Sequence, residues 1–350
     1  MSDDPLALRE ESLSRLQKLL ESRKGGKVTL IGDSMLDRYH HGFANNLNST
    51  APVPVVKIIR SEESPGASAH VAIGLRSFGM EASFHTAIGD DSEGTTICSV
   101  LQSNGISIDG ILKVPDRKTL TKIRFFGSRE SLLDREQILL QADRVPNAPL
   151  EGNISESLTR SALDELGNSC ALVISDYDKG VVTKDGAESL INKANELGIP
   201  AIVDPKLTGL EKSRGATVVI FEKRGMELLS RRIGDDVDNA AKTLIGDYSW
   251  KGILVLGGIH GVELHQKDGE KIFMPCMAPT ARQQIGMHDA AAASLVTALG
   301  SGLSLYDAAL LASAACECVL TSVTGHDYVD RETLGLWLDE LAWQMRISER

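Results

Sequence analysis

The sequence predicts an α/β protein with a mostly parallel central sheet that is covered by helices on both faces. From Asn153 onward, short apolar segments alternate regularly with helical segments, which is typical of parallel strands joined by helical crossovers. The 32 glycines and only 4% aromatic residues favour many tight strand–helix turns over an aromatic-rich β-sandwich. A length of 350 residues suffices for one large domain of this class.

The first part of the chain predicts a helical extension and the start of the sheet. Leu6 to Leu20 have amphipathic helical spacing and predict an N-terminal helical extension over residues 1–25. "KVTLIGDSMLDRY" predicts a buried strand that runs into an acidic turn, and the two prolines of "APVPVVKIIRSEES" predict an edge strand. A helix in "GASAHVAIGLRSFG", a strand in "ASFHTAIG" and a helix in "TTICSVLQSNG" follow.

Three short segments, "GILKV", "LTKIRFF" and "EQILLQA", then occur without helices between them. This arrangement predicts a small antiparallel lid rather than further strands of the main sheet. We expect lid segments near residues 38–60 and 107–143, attached to a single domain that spans residues 26–345.

The second half predicts the parallel strands and their polar ends. Strands are predicted in "CALVISDY", "PAIVDPK", "ATVVIF" and "KGILVLGG", with "VELHQ" as a hairpin partner, and helices close the chain. Ligands of parallel α/β sheets bind at the carboxyl ends of the strands. The polar residues predicted there are the site candidates Asp33, Asp37, Asp176, Lys179, Asp204, Lys206 and Glu222.

The composition argues against several classes of partner and favours a small anionic substrate. A net charge of -11 without a basic cluster argues against nucleic acid, and no run of about 18 apolar residues predicts a membrane span. The five scattered cysteines are typical of buried thiols in a reducing compartment. The N-terminus lacks the apolar core of a signal peptide, so we expect a cytoplasmic protein.

The stretch "QQIGMHDAAAASLV" predicts a helix that begins just after Gly286, His288 and Asp289. Backbone amides at a helix N-terminus bind phosphate, and a carboxylate beside them can take a proton from an attacking hydroxyl. We expect the helix dipole to keep Asp289 ionised. The alternative is a plain N-cap aspartate, which is common at such positions.

Seven segments occur in the order and at the spacing of a known family: "GDSMLDRY", "APVPVVK", "PGASAHVA", "TKIRF", "SDYDKG", "DPK" and "GAT". Through them, residues 26 to 345 resemble the ribokinase/PfkB carbohydrate kinases, and more narrowly the bacterial D-glycero-β-D-manno-heptose 7-phosphate kinases. The resemblance implies a ribokinase-like three-layer sandwich with a mostly parallel central sheet and a small β-lid. It also implies a homodimer formed through the lid, and phosphoryl transfer from MgATP to a hydroxyl of a sugar phosphate.

The resemblance also implies roles for individual residues. Asp289 falls on the family's base, in a turn with Gly286 and His288. Substrate-binding positions are Asp33, Asp37, Gly66, His70, Lys179 and Lys206. Cofactor-binding positions, for the nucleotide, are Glu222, Gly258 and Gly261. No metal site of the chain's own is predicted, because His260, His288, Asp289 and Glu222 lack ligand-type spacing.

Several positions depart from the family's pattern, mostly on the nucleotide side. His288 replaces a glycine, Glu222 an asparagine and His70 a sugar-binding asparagine; further departures are Ile285, Gly225, Leu256, Gly257 and Leu140. A carboxylate at position 222 would repel a triphosphate unless a cation intervenes. Two hypotheses follow. One is a sugar kinase with Asp289 as base and reduced activity; the other is a non-catalytic sugar-phosphate-binding or regulatory protein with degraded nucleotide motifs.

Overall fold

A computed structural model describes residues 5–22, 25–128, 136–146, 148–269, 271–324 and 328–348. Parts of three predicted regions lie outside the described residues. These parts are 1–4 and 23–24 of the N-terminal extension, 129–135 of the second lid segment, and 147, 270 and 325–327 of the main domain.

The described residues form thirteen strands and ten α-helices. The strands are β1 Lys27–Gly32, β2 Ser34–Leu47, β3 Pro54–Ala67, β4 Glu81–Gly89, β5 Ile111–Val114, β6 Thr121–Ser128, β7 Gln137–Arg144, β8 Ala171–Ser175, β9 Ala201–Asp204, β10 Val218–Glu222, β11 Gly252–Leu256, β12 Val262–Gln266 and β13 Ile272–Met274. The helices are α1 Pro5–Glu21, α2 Ser68–Ser77, α3 Ser92–Ser103, α4 Gly152–Leu166, α5 Lys184–Leu197, α6 Lys223–Ile233, α7 Val237–Tyr248, α8 Met287–Gly300, α9 Leu305–Thr321 and α10 Arg331–Ser348.

The central sheet has nine strands in the order β13-β12-β11-β10-β9-β8-β1-β4-β5. All neighbours from β11 to β5 in this order pair in parallel. At the other edge of the sheet, β12 pairs antiparallel with β11, and β13 pairs antiparallel with β12. The predicted mostly parallel sheet is therefore confirmed. The carboxyl ends of β1, β8, β9 and β10 consequently lie side by side at one edge of the sheet.

The placement of "GILKV" in the lid is wrong. Its residues form β5, which pairs in parallel with β4 at the edge of the central sheet. The reason is α3, which connects β4 to β5 and makes an ordinary strand–helix–strand crossover. This helix was predicted in "TTICSVLQSNG", but the segment that follows it was grouped with the lid because no helix comes after that segment.

The lid is the four-stranded sheet β3-β2-β6-β7. Its outer pairs are antiparallel as predicted, and β3 is an edge strand as its prolines indicate. The central pair β2–β6 is parallel, which corrects the prediction of a wholly antiparallel lid. A single residue, Asp33, separates the end of β1 from the start of β2, so the chain passes directly from the central sheet into the lid.

Two hydrophobic layers cover the two faces of the central sheet. Helix α1 packs on α9 and α10, and its Leu13 and Leu16 are fully buried in one of these layers. The predicted extension is thus part of the packed structure. All five cysteines are free thiols. Within the described ranges, no helix is long and apolar enough to cross a membrane.

Candidate active site

A cavity of about 330 Å³ lies where the carboxyl ends of the parallel strands, the start of α8 and the inner face of the lid meet. The lid contributes side chains from β2 and β6, and the central sheet contributes residues at the ends of β9 and β10 and in the loop after β8. The charged residues that line this active-site cavity are Asp37, Lys122, Arg124, Asp204, Lys206, Glu222, His288 and Asp289.

The start of α8 is shaped by Gly286. Its φ of +82° is in the left-handed region, and a side chain there would lie 3.3 Å from the ring of His70. No side chain among the described residues caps the helix, so its first backbone amides are available to an anion. Met287 is buried in the hydrophobic layer and also contributes to the cavity lining. The turn therefore keeps the features of an anion site despite its unusual residues.

Asp289 is buried in the first turn of α8, with 7% of its surface exposed. Its Oδ1 atom has no hydrogen-bond partner among the described residues. Burial, followed by the negative charge of Asp204, raises the pKa of Asp289 to about 7. The expectation that the helix dipole keeps this carboxyl fully ionised is therefore wrong near neutral pH. A pKa near 7 is well matched to a general base.

His288 lies between two carboxylates. Its Nδ1 atom is 3.1 Å from Asp204 Oδ1, and its Nε2 atom is 3.5 Å from Glu222 Oε1. Burial opposes the charged ring, but the two carboxylates outweigh burial and raise the pKa of His288 to about 10. The ring is therefore an imidazolium at neutral pH. Two positions that depart from the family's pattern, 222 and 288, thus pair with each other, because the cation at one compensates the carboxylate at the other.

Asp37 is held on the lid by a buried ion pair. Arg124 Nη1 donates to Asp37 Oδ1 at 2.6 Å, and the parallel β2–β6 pairing brings the two residues together. Gly66 leaves room for this carboxylate, because a Cβ at Gly66 would lie 2.1 Å from Asp37 Oδ2. The predicted positions Asp37 and Gly66 are thus in contact at the cavity wall, whereas Arg124 was missed by the sequence interpretation.

Two lysines are the cations of the cavity that remain unpaired. Lys122 Nζ is 5.6 Å and Lys206 Nζ 4.1 Å from the centre of the Tyr177 ring, and neither makes an ion pair with a described residue. Burial lowers the pKa of Lys122. Lys206 was predicted from the sequence, whereas Lys122 and Tyr177 were not, although "TKIRF" and "SDYDKG" contain them.

Asp33 and Lys179 have a different place from the one predicted. The buried carboxylate of Asp33 accepts hydrogen bonds from the backbone amides of Tyr177, Lys179 and Val181 at 2.9, 3.0 and 3.2 Å. Asp33 thereby anchors the loop that presents Tyr177, and neither Asp33 nor Lys179 lines the cavity. The carboxylate of Asp33 thus has a structural role, and substrate binding by Asp33 and by the Lys179 side chain stays a prediction.

Three other predicted residues do not line the cavity. The ring of His70 packs between Gly286 and Tyr328, with 4.5 Å between the centres of the two rings. Gly258 and Gly261 have positive φ values in the turn between β11 and β12. A Cβ at Gly261 would lie 2.3 Å from the carbonyl oxygen of Met274, which explains the glycine. Nucleotide binding by these two glycines stays a prediction.

A nine-stranded α/β sandwich whose site lies at the strand ends beneath a β-lid defines a ribokinase-like protein. The family model for pfkB family carbohydrate kinases matches residues 27–327. The chain therefore belongs to the pfkB family of carbohydrate kinases.

Individual proteins agree with this assignment. The bifunctional protein HldE of Paramagnetospirillum magneticum is 32% identical over 333 residues, which are 94% of this chain and 67% of that protein. HldE of Salmonella paratyphi B is 32% identical over 295 residues, 84% of this chain and 59% of that protein. The chain thus spans about three fifths to two thirds of these relatives. The fold is similar to Escherichia coli phosphofructokinase-2 in complex with fructose-6-phosphate, with a TM-score of 0.69, 17% identity, and coverage of 90% and 99% of the two chains.

Proposed function

We propose that this protein transfers a phosphoryl group from MgATP to a hydroxyl of a sugar phosphate, with Asp289 as the general base. The observation that carries the proposal is that Asp289 has a buried oxygen atom without a hydrogen-bond partner among the described residues. Of the described carboxylates that line the cavity, Asp37 is paired with Arg124, and Asp204 and Glu222 are paired with His288. Asp289 alone keeps an unpartnered buried oxygen, beside the uncapped N-terminus of α8.

The reaction uses these groups in a simple order. The O–H bond of the sugar hydroxyl breaks and its proton passes to a carboxylate oxygen of Asp289. The sugar oxygen forms a bond to the γ-phosphorus, the bond from that phosphorus to the β–γ bridging oxygen breaks, and ADP leaves. The amides at the start of α8 stabilise the negative charge on the transferred group, because they need no reorientation during the step.

The two unpaired lysines support a substrate that carries a phosphate of its own. Lys122 and Lys206 offer two ammonium groups around one aromatic ring, which suits a dianion better than a neutral sugar. A structurally similar protein, Escherichia coli phosphofructokinase-2, has been solved in complex with the sugar phosphate fructose-6-phosphate. Together with the resemblance to heptose 7-phosphate kinases, this makes a heptose 7-phosphate the first substrate to test.

The residues present also fit a magnesium–nucleotide complex. Mg²⁺ is bound by oxygen ligands, usually one or two carboxylates together with phosphates and water. Glu222 offers such an oxygen, since its side chain is 64% exposed at the mouth of the cavity and can turn toward solvent. When bound, the ion neutralises phosphate charge. The imidazolium of His288 adds a second positive charge at the same end.

The test is a transfer assay on the full chain with MgATP and D-glycero-β-D-manno-heptose 7-phosphate, following ADP release and the bisphosphate product. We expect product formation, and a Michaelis constant for the sugar phosphate that rises about tenfold or more in Lys122→Ala and Lys206→Ala. Lys251→Ala, on an exposed loop, is the matched control. With the non-phosphorylated heptose, the two lysine variants should match the parent protein.

The same assay separates the alternative of a non-catalytic relative. Calorimetric binding of the sugar phosphate without any ADP release would contradict the kinase proposal and favour a sugar-phosphate-binding protein. Turnover of fructose-6-phosphate in place of the heptose would keep the proposed reaction and change only the sugar.

A second proposal concerns assembly, and its occupant is another copy of this chain. The two edge strands of the lid, β3 and β7, expose apolar side chains at Ile58, Ile59, Ile138 and Leu140. Exposed edge strands of this kind readily pair with another chain. We expect a homodimer through the lid, and light scattering of the purified protein should give twice the monomer mass. Ile58→Asp with Leu140→Asp should give a monomer, whereas Leu336→Asp, at an exposed leucine of α10, should leave the mass unchanged.

A further inference from the structure

We propose a second cation site, formed by Asp238, Glu263 and His265, which binds a divalent transition-metal ion such as Zn²⁺. One ligand atom from each of these side chains lies within 4.8 Å of the others. Glu263 and His265 are two residues apart on β12, so both point to the same face of the strand, where the first turn of α7 carries Asp238. None of the three lines the active-site cavity.

His265 is the residue whose surroundings indicate a binding site for a cation. Its side chain is 6% exposed, and its Nε2 atom has no hydrogen-bond partner within the described part of the chain. This atom lies 3.4 Å from Glu263 Oε2. A buried nitrogen acceptor facing carboxylate oxygens is an arrangement that a cation satisfies.

The ammonium group of Lys271 already provides a positive charge beside two of the proposed ligands, Asp238 and Glu263. Lys271 Nζ is 2.9 and 3.0 Å from the two carboxylate oxygens of Asp238 and 3.9 Å from Glu263 Oε2. The Lys271 side chain is 39% exposed, so it can leave for solvent when a metal ion enters. The lysine is therefore a competitor for the site, and its removal should strengthen metal binding.

The donor set selects the kind of ion. One imidazole nitrogen with two carboxylates suits Zn²⁺, Co²⁺ or Mn²⁺ better than Mg²⁺, which favours oxygen ligands throughout. Ligand atoms around a tetrahedral Zn²⁺ are about 3.4 Å apart, so no pair of ligand atoms needs to close by more than about 1.4 Å. Asp238 is half-exposed and can rotate to do so. The bound ion would tie α7 to the edge hairpin β12–β13.

The experiment uses the full chain after removal of metals with a chelator, with Zn²⁺ and Co²⁺ as probes. We would measure metal binding by equilibrium dialysis, the Co²⁺ absorption spectrum and the melting temperature. The proteins compared are the parent protein, His265→Gln, Lys271→Ala and Lys267→Ala. We expect one bound ion and a rise in melting temperature, because a ligand that binds only the folded state stabilises it. His265→Gln should weaken binding about tenfold or more. Lys271→Ala should tighten it several-fold, and Lys267→Ala, at an exposed lysine beside the same strand, should change nothing.

Two results would overturn the site. One is unchanged metal binding in His265→Gln, which would place the ion elsewhere, for example at His288 or the thiols. The other is a lack of binding by both the parent protein and Lys271→Ala. If His265→Gln fails to fold by circular dichroism, Glu263→Gln replaces it with the same expected loss, since it removes a more exposed ligand.

Discussion

Asp289→Asn should lower kcat by about a thousandfold and, at the same time, make the folded protein more stable above neutral pH. The loss of rate follows from the removal of the carboxylate that we propose as the proton acceptor at the start of α8. The gain in stability follows from burial, because the neutral amide avoids the cost of keeping a charged carboxylate near Asp204. The two effects have one cause, since the same burial that raises the pKa makes the carboxyl a suitable base.

The pH dependence gives the sign of the stability change. The pKa of Asp289 is about 7 in the folded protein, compared with 3.8 for an unperturbed aspartate, so the folded protein holds this proton more tightly. The stabilising contribution of protonation is complete below about pH 4 and is lost as the pH rises to about 7. A shift of about three pKa units corresponds to at most about 4 kcal/mol, and we expect Asp289→Asn to recover about 2 kcal/mol of this at about pH 8.

Urea unfolding at about pH 5 and about pH 8 measures this difference, with Asp268→Asn on an exposed turn as the control. The parent enzyme's kcat/KM should also rise with pH to a plateau above about pH 7, since the base must be deprotonated. If the variant is inactive but has the same stability as the parent protein at both pH values, burial does not destabilise the ionised carboxylate of Asp289. A variant that keeps most of its activity would exclude Asp289 as the base.

The parts of the fold that the sequence predicted are those with a local pattern. Buried runs such as "CALVISDY" and "KGILVLGG" alternate with helices, and this alternation alone indicates a parallel sheet. The parallel pairing of β2 with β6 could not be predicted in the same way, because it joins segments from distant parts of the chain and leaves no local spacing. Strand β5 was misplaced for a related reason, since a four-residue strand looks the same in either sheet.

The site was predicted where one position determines the chemistry and missed where two positions act together. Asp289 is recognisable because it begins a helix of small residues after a glycine. Glu222 and His288 were judged separately as losses, although each is the other's ion-pair partner. Asp33 has a structural role that its place in the sequence does not reveal, because the three backbone amides that donate to it come from a loop distant in the chain.

The pairing of Glu222 with His288 yields the second large effect, which a double-mutant cycle measures. His288→Gly alone removes the cation between Asp204 and Glu222, so these carboxylates and Asp289 lose the positive charge nearest to the pair. We expect it to lower kcat/KM at neutral pH by about a hundredfold and to raise the pKa of Asp289 further. Glu222→Asn alone leaves His288 paired with Asp204 and should cost less than about tenfold, because the Glu222 side chain is largely exposed.

The combination Glu222→Asn with His288→Gly restores the residues that the family resemblance places at both positions. It should be more active than His288→Gly alone, with a coupling free energy of about 1–2 kcal/mol in kcat/KM, because the repulsion that the glycine variant creates is partly removed. Glycine at the start of the helix affects both glycine variants equally, so its effect on helix stability cancels in the cycle. Additive effects would show that the two residues do not act as a pair. A double variant more active than the parent would mean instead that the imidazolium hinders the nucleotide, and that the pair restrains a site which its removal releases.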